Sequence, residues 1–126
     1  MNKQEYTLLY AEDEDGTRVN IAKSLRIRYE RVIEAKDGAE ALKLFGENSI
    51  DLILTDLQMP NMDGLEFIKK VRQEDKNIPI IVMSAYSEQD REASVHELNA
   101  QYVVKPLSRA KLKEVLESGF KSIKAS

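Results

Sequence analysis

Carboxylates, a hydroxyl and a lysine stand at the ends of apolar runs in this 126-residue chain. The run at 8–11 leads into Glu12-Asp13-Glu14-Asp15 and then Gly16-Thr17. The run at 50–55 ends in Asp56, the run at 78–83 in Ser84, and the run at 102–104 in Lys105-Pro106. A hard divalent cation such as Mg²⁺ takes oxygen ligands and keeps several waters, so two or three carboxylates can hold it. Crowded carboxylates resist ionising together unless a cation compensates. A lysine opposite them can neutralise phosphate oxygens as a flexible point charge, and a serine hydroxyl can donate to the same group. Such a set suits a phosphoryl group and its metal, with positioning and charge neutralisation as the means of transfer. Two aspartates compete as the reactive one, Asp13 and Asp56.

These residues form one site only if the elements carrying them share an edge. Short runs at 7–11, 32–35, 50–55, 78–84 and 102–104, rich in Ile, Val, Leu and Tyr, read as strands buried on both faces. Between them the spacing is helical: Val19, Ala22, Leu25 and Tyr29; then 39–45 after the Asp37-Gly38 turn; then Leu65, Ile68 and Val71. Leu112, Val115, Leu116, Gly119 and Ile123 mark a last helix. The helix at 88–98 has only Ala93, Val95 and Leu98 to bury, so it should hold to the sheet less firmly than the others. Five alternations predict one α/β domain over residues 1–126, a doubly wound sandwich on a parallel sheet. Ligands of such sheets bind beyond the carboxyl ends of the strands, which is where Glu12, Asp13, Asp37, Asp56, Ser84 and Lys105 fall.

Composition narrows the function further. A net charge of -3 gives no global reason to expect nucleic acid or an anionic membrane as the main partner. Having no cysteine, the chain cannot use disulfides, thiol catalysis or thiolate metal sites. The N-terminus MNKQEYTLLY lacks the build of a signal peptide, and no apolar run approaches about 18 residues. A cytoplasmic location is expected. Arg18, Lys23, Arg26, Arg28 and Arg31 read as a solvated basic helix face rather than a nucleic-acid surface. Glu14 and Asp15 fit a helix start, Asp37 and Asp63 fit turns, and His96 stands without a second ligand nearby.

In order and separation, these pieces resemble the receiver domain of two-component response regulators from about Tyr6 to Ile123. The resemblance rests on the acidic pair Glu12-Asp13 and on Asp56-Leu57-Gln58-Met59-Pro60-Asn61-Met62-Asp63-Gly64. Ser84-Ala85 after the fourth strand and Tyr102 three residues before Lys105-Pro106 complete it. It implies a (βα)5 flavodoxin-like sandwich, similar to the chemotaxis-type receiver, with strand order 2-1-3-4-5. It further implies that Asp56 takes a phosphoryl group from the phosphohistidine of a sensor histidine kinase or a histidine phosphotransfer protein. Asp13, Asp56 and the backbone carbonyl of Gln58 would bind Mg²⁺, for which Mn²⁺ can substitute, while Glu12 would hold a metal-bound water. Lys105 and Ser84 would contact the phosphoryl oxygens, and Tyr102 would follow Ser84 as a switch toward the face of the fourth helix, fifth strand and fifth helix. Gln58 and Tyr86 would tune the lifetime of the acyl phosphate. Gly64 and a cis bond before Pro106 would be structural. Implied partners also include an output domain or target protein and a homodimer that forms on phosphorylation.

The sequence departs from the family pattern at three places. Glu12 replaces the commoner aspartate, Leu107 stands where phenylalanine is common, and 98–102 is one residue shorter than usual before the aromatic. Two other functions compete. One is a receiver-like binding module that works without phosphorylation, although such modules usually lose the nucleophile, a metal acid or the lysine. The other is a phosphatase of the haloacid-dehalogenase type, with Asp13 as nucleophile and Asp15 as acid/base. That reading lacks an acidic motif after Lys105, where only Glu114 and Glu117 follow, and it leaves the Asp56 loop unexplained.

Overall fold

The structure, a computed structural model, describes residues 3–85 and 89–125, with side chains of the last helix described to residue 121. Strands and helices alternate as β1 (Gln4–Ala11), α1 (Asp15–Arg28), β2 (Tyr29–Ala35), α2 (Gly38–Glu47) and β3 (Leu52–Asp56). The second half continues with α3 (Gly64–Glu74), β4 (Ile80–Ser84), α4 (Gln89–Glu97), β5 (Gln101–Val104) and α5 (Arg109–Ala125). The strands pair in parallel in the order β2-β1-β3-β4-β5, the flavodoxin-like arrangement.

Alternation along the strands divides the core between the two faces of the sheet. Leu8, Tyr10, Leu52, Leu54, Ile81 and Met83 pack with Ala22 and Leu25 of α1 and with Val115, Leu116 and Phe120 of α5. Their neighbours Leu9, Ala11, Ile53, Ile80 and Val82 face Ala41 of α2, Phe67, Ile68 and Val71 of α3, and Val95 of α4. Helices thus cover both faces, which is why the central runs 8–11, 52–54 and 80–83 are apolar throughout instead of alternating with polar residues. Gly119 brings α5 close to the sheet, since a Cβ there would lie 2.7 Å from Leu52 Cδ1.

Three details of the apolar pattern resolve differently in space. Tyr29 continues the helical spacing of Leu25, yet it opens β2 with φ -119 and ψ 140, its N–H still bonded to Leu25 O. An aromatic suits the strand, and its ring is buried with its centroid 5.1 Å from that of Phe120. Val19 is exposed, so α1 is anchored by Ala22 and Leu25. In α4, Val95 is the buried apolar residue, while Ala93 is exposed and Leu98 partly buried beyond the helix end.

The connection from α4 to β5 closes through Asn99, which takes a left-handed φ of 57. Asparagine tolerates that conformation better than other residues with a Cβ, so it can serve where glycine is usual. Arg72 of α3 fixes the turn by donating to Leu98 O at 2.7 Å and Asn99 O at 3.1 Å.

Candidate functional site

The carboxyl ends of β1, β3 and β5 place the acids and the lysine together. Glu12 extends β1 by one residue, its N–H donating to Ala35 O of β2 at 3.0 Å. Asp56 ends β3 and is buried. One carboxylate oxygen each from Glu12, Asp13 and Asp56 lie within 4.8 Å of one another. Lys105, just past β5, spans the group: its Nζ lies 3.0 Å from Glu12 Oε1 and 3.0 Å from Asp56 Oδ2. The remaining oxygen of Asp56 accepts from Leu57 N at 3.1 Å. Glu12 Oε2 accepts from Glu14 N at 3.2 Å.

Charge in this pocket is incompletely balanced, because three carboxylates face one ammonium. Burial, with Glu12 adding to it, raises the Asp56 carboxyl from 3.8 to about 6 against the opposing pull of Lys105. Asp13 is raised too, by its slight burial and by Glu12. Burial works against the Lys105 ammonium, but its bonds to Asp56 and Glu12 outweigh this and hold its pKa above the usual lysine value. With all three acids ionised, the deficit is that of one divalent cation. Oxygen donors, close spacing and unmet negative charge fit Mg²⁺.

Ser84 ends β4 and is buried, its carbonyl accepting from Lys105 N at 2.7 Å. Tyr102 lies three residues before Lys105, paired with Val82 and packed on the α2–α3–α4 side of the core. Gln58 stands exposed in the β3–α3 loop, and Tyr86 lies outside the described residues. The Lys105–Pro106 bond is cis. Gly64 is required by close approach: a Cβ there would sit 2.2 Å from Asp56 O, and Gly64 N already donates to Leu57 O at 2.7 Å.

Neighbouring turns hold the β3–α3 loop from both sides. Asn61 Nδ2 donates to Asp37 Oδ2 at 2.8 Å, and Gly38 N donates to Met62 O at 3.0 Å. Arg91 of α4 pairs with Asp63 Oδ2 at 3.1 Å, while Asp63 Oδ1 caps α3 at Glu66 N. Asp37 caps α2 and stands apart from the cation cluster. Glu14 caps α1, accepting from Gly16 N and Thr17 N. Asp15 is largely exposed and paired with Arg18, so it does not join the pocket.

Arg18 corrects the reading of α1 as a wholly solvated basic face. Its side chain is 15% exposed and reaches Glu12 O, Glu34 and Asp15. Nothing in the spacing of the basic residues separates Arg18 from Lys23 or Arg28. The signal lies in three dimensions, where α1 begins directly beneath the end of β1. Arg72 and Arg91 were equally hidden, because their partners are 26 to 28 residues away.

An acidic pocket at the carboxyl edge of a 2-1-3-4-5 parallel sheet defines the class of α/β sandwich that works at its topological switch point. The chain belongs to the response regulator receiver domain family, whose model matches residues 8–117. It is 36% identical over 118 residues to a probable transcriptional regulator, ycf27, of Cyanidium caldarium, covering 93% of this chain and 47% of that protein. It is 29% identical over 111 residues to sporulation initiation phosphotransferase F of Bacillus subtilis, covering 87% of this chain and 90% of that one. The crystal structure of the response regulator TrrA from Thermotoga maritima, in complex with Mg(2+)-BeF, superposes with a TM-score of 0.80 at 32% identity. That match covers 90% of this chain and 97% of the other. The chain spans about half the length of ycf27 and of several other regulators it matches. Receiver domains of this family act in two-component signalling, with Mg²⁺ and a phosphoaspartate as their standard chemistry. Among the described residues, no helix is long and apolar enough to cross a membrane.

Proposed function

We propose that this domain is the phosphoacceptor of a two-component or phosphorelay system, with Asp56 as the residue modified. The observation that carries the reading is the placement of Asp56, its oxygens held by Lys105 and Leu57 N within a cluster of three carboxylates. A carboxylate oxygen of Asp56 attacks phosphorus, the P–N bond of a phosphohistidine breaks, and the imidazole nitrogen keeps the bonding pair. The product is an acyl phosphate on Asp56. Bound Mg²⁺, or Mn²⁺ in its place, supplies positive charge to the phosphoryl oxygens. Asp13, Asp56 and the carbonyl of Gln58 would hold it, with Glu12 acting through water.

The chain's own groups do the rest. Lys105 gives up part of its hold on Asp56 and Glu12 and meets a phosphoryl oxygen. Ser84 donates to another, and Tyr102 follows it to signal toward α4, β5 and α5. Gln58 and Tyr86 set how readily water reaches the acyl phosphate. The named phosphotransferase relative and the Mg(2+)-BeF complex of TrrA support this assignment. The phosphodonor is a sensor histidine kinase or a histidine phosphotransfer protein. The recipient of the signal is an output domain or target protein, with a phosphorylation-dependent homodimer as one form, in the cytoplasm.

Treatment with Mg²⁺ and a small acyl phosphate or phosphoramidate, followed by borohydride trapping and peptide mass analysis, tests the proposal. The expected label is on Asp56, absent from Asp56→Asn. A label on Asp13, or sustained phosphatase turnover by Asp56→Asn, would overturn it.

A further inference from the structure

We infer that Arg18 is a positioning residue for the cation site, acting through the peptide that joins Glu12 to Asp13. The inference rests on the proposed phosphoacceptor reading and extends it to a residue outside the pocket. The Glu12 carbonyl faces β2, as its N–H does, but β2 ends at Ala35 and supplies no further ladder donor to it among the described residues. Arg18 NH1 takes that place, donating to Glu12 O at 3.0 Å. The rest of the guanidinium is fixed as well, with Nε 3.3 Å from Glu34 Oε1 of β2 and NH2 2.8 Å from Asp15 Oδ1 of α1. Three elements therefore meet at one planar group, which can hold a carbonyl and two carboxylates in set directions.

The consequence falls on the acids. Glu12 N is pinned by Ala35 O and Glu12 O by Arg18, so the backbone that launches the Glu12 and Asp13 side chains is held at both peptide groups flanking Glu12. Asp13 itself is exposed and depends on that backbone for its direction. Two opposite effects of Arg18 on Mg²⁺ can be distinguished. As a bare positive charge it would repel the cation, and its removal would tighten binding. As a clamp it orders the ligands, and its removal would weaken binding. Asp15, and Glu34 which Arg18 shares with Arg26, sit against the guanidinium and offset part of its charge, which leaves the clamp as the larger effect.

The test is calorimetric titration of the protein with Mg²⁺ alone, alongside thermal melting of the metal-free protein. Arg18→Ala should bind Mg²⁺ about tenfold more weakly, the loss expected when a group that orients a ligand is removed. Arg18→Lys should recover little, because an ammonium cannot reproduce the three-way fork. A purely structural role would lower the melting temperature without changing Mg²⁺ affinity. Where Arg18→Ala does not fold, Glu34→Gln loosens the same guanidinium and should weaken Mg²⁺ binding in the same direction by less. Unchanged or tighter binding in a folded variant overturns the inference while wild-type Mg²⁺ uptake leaves the functional reading standing. A wild-type protein that takes up no Mg²⁺ overturns both.

Discussion

At the scale of single residues, the pocket is a contest over the charge of Asp56. Burial and Glu12 raise its pKa, and Lys105 lowers it, with the balance reached at about 6. Removing either neighbour should move the titration in opposite directions. Lys105→Ala takes away the ammonium that stabilises the carboxylate and should raise the Asp56 pKa further, whereas Glu12→Gln removes a repelling charge and should lower it. Carbon-detected NMR titration of the Asp56 carboxyl reads both, and shifts of the same sign would contradict this balance. Beneath the pocket, Tyr10 is fully buried and its hydroxyl has no hydrogen-bond partner among the described residues. An unpaired buried hydroxyl is destabilising, so Tyr10→Phe should raise stability by about 1 kcal/mol in urea unfolding. A loss of stability would show that the hydroxyl is bonded after all.

At the scale of elements, the sequence made the central strands legible because burial on both faces leaves few polar positions to confuse the pattern, whereas the edge strands β2 and β5 keep exposed residues such as Glu30, Arg31 and Gln101. The site acids were legible for a related reason: a charged residue directly after such a run must lie at the sheet's carboxyl edge. Tyr29 was harder to place, since one aromatic can satisfy helical spacing and strand burial at a boundary. Long-range clamps left no sequence signal, because an arginine's partner is chosen by the fold. Arg91 shows what such a clamp does. Helix α4 has one buried apolar side chain, Val95, and Arg91 ties its first turn to Asp63 at the start of α3. Arg91→Ala should therefore speed amide exchange across α4 while the global melting temperature stays nearly constant, since a partly exposed ion pair contributes about 0–1 kcal/mol. Equal protection in α4 of both proteins would show that packing alone holds the helix. Gly64 makes a stricter demand at the other end of this loop. Gly64→Ala puts a Cβ against Asp56 O, so in urea unfolding it should destabilise by about 1–3 kcal/mol, and it should disturb the strand end that carries Asp56.

At the scale of the whole molecule, the pocket makes stability depend on pH in a way that Mg²⁺ should reverse. The raised Asp56 carboxyl binds a proton more readily in the folded protein than in the unfolded chain, whose carboxyl stays near 3.8. Between those values the folded state holds more protons, so this group's contribution to metal-free stability falls as pH rises toward about 6. Asp37 works the other way. Its cap bond to Glu40 N and its bond to Asn61 lower its pKa, so its contribution is present above the unfolded value and lost on acidification. Comparing wild type with Asp56→Asn at each pH isolates the pocket from such caps. A cation that needs the ionised acids gains as they deprotonate. At about 100 times its dissociation constant Mg²⁺ should add about 2.7 kcal/mol to unfolding near neutral pH. That increment should shrink as pH falls below about 6 and vanish in Asp56→Asn, because protonation of Asp56 removes a ligand and a charge together. Melting curves with Mg²⁺ and with a chelator should thus converge at acid pH and separate above it. An equal Mg²⁺ increment at pH 5 and pH 7 would place the cation away from Asp56 and remove the electrostatic basis of the site.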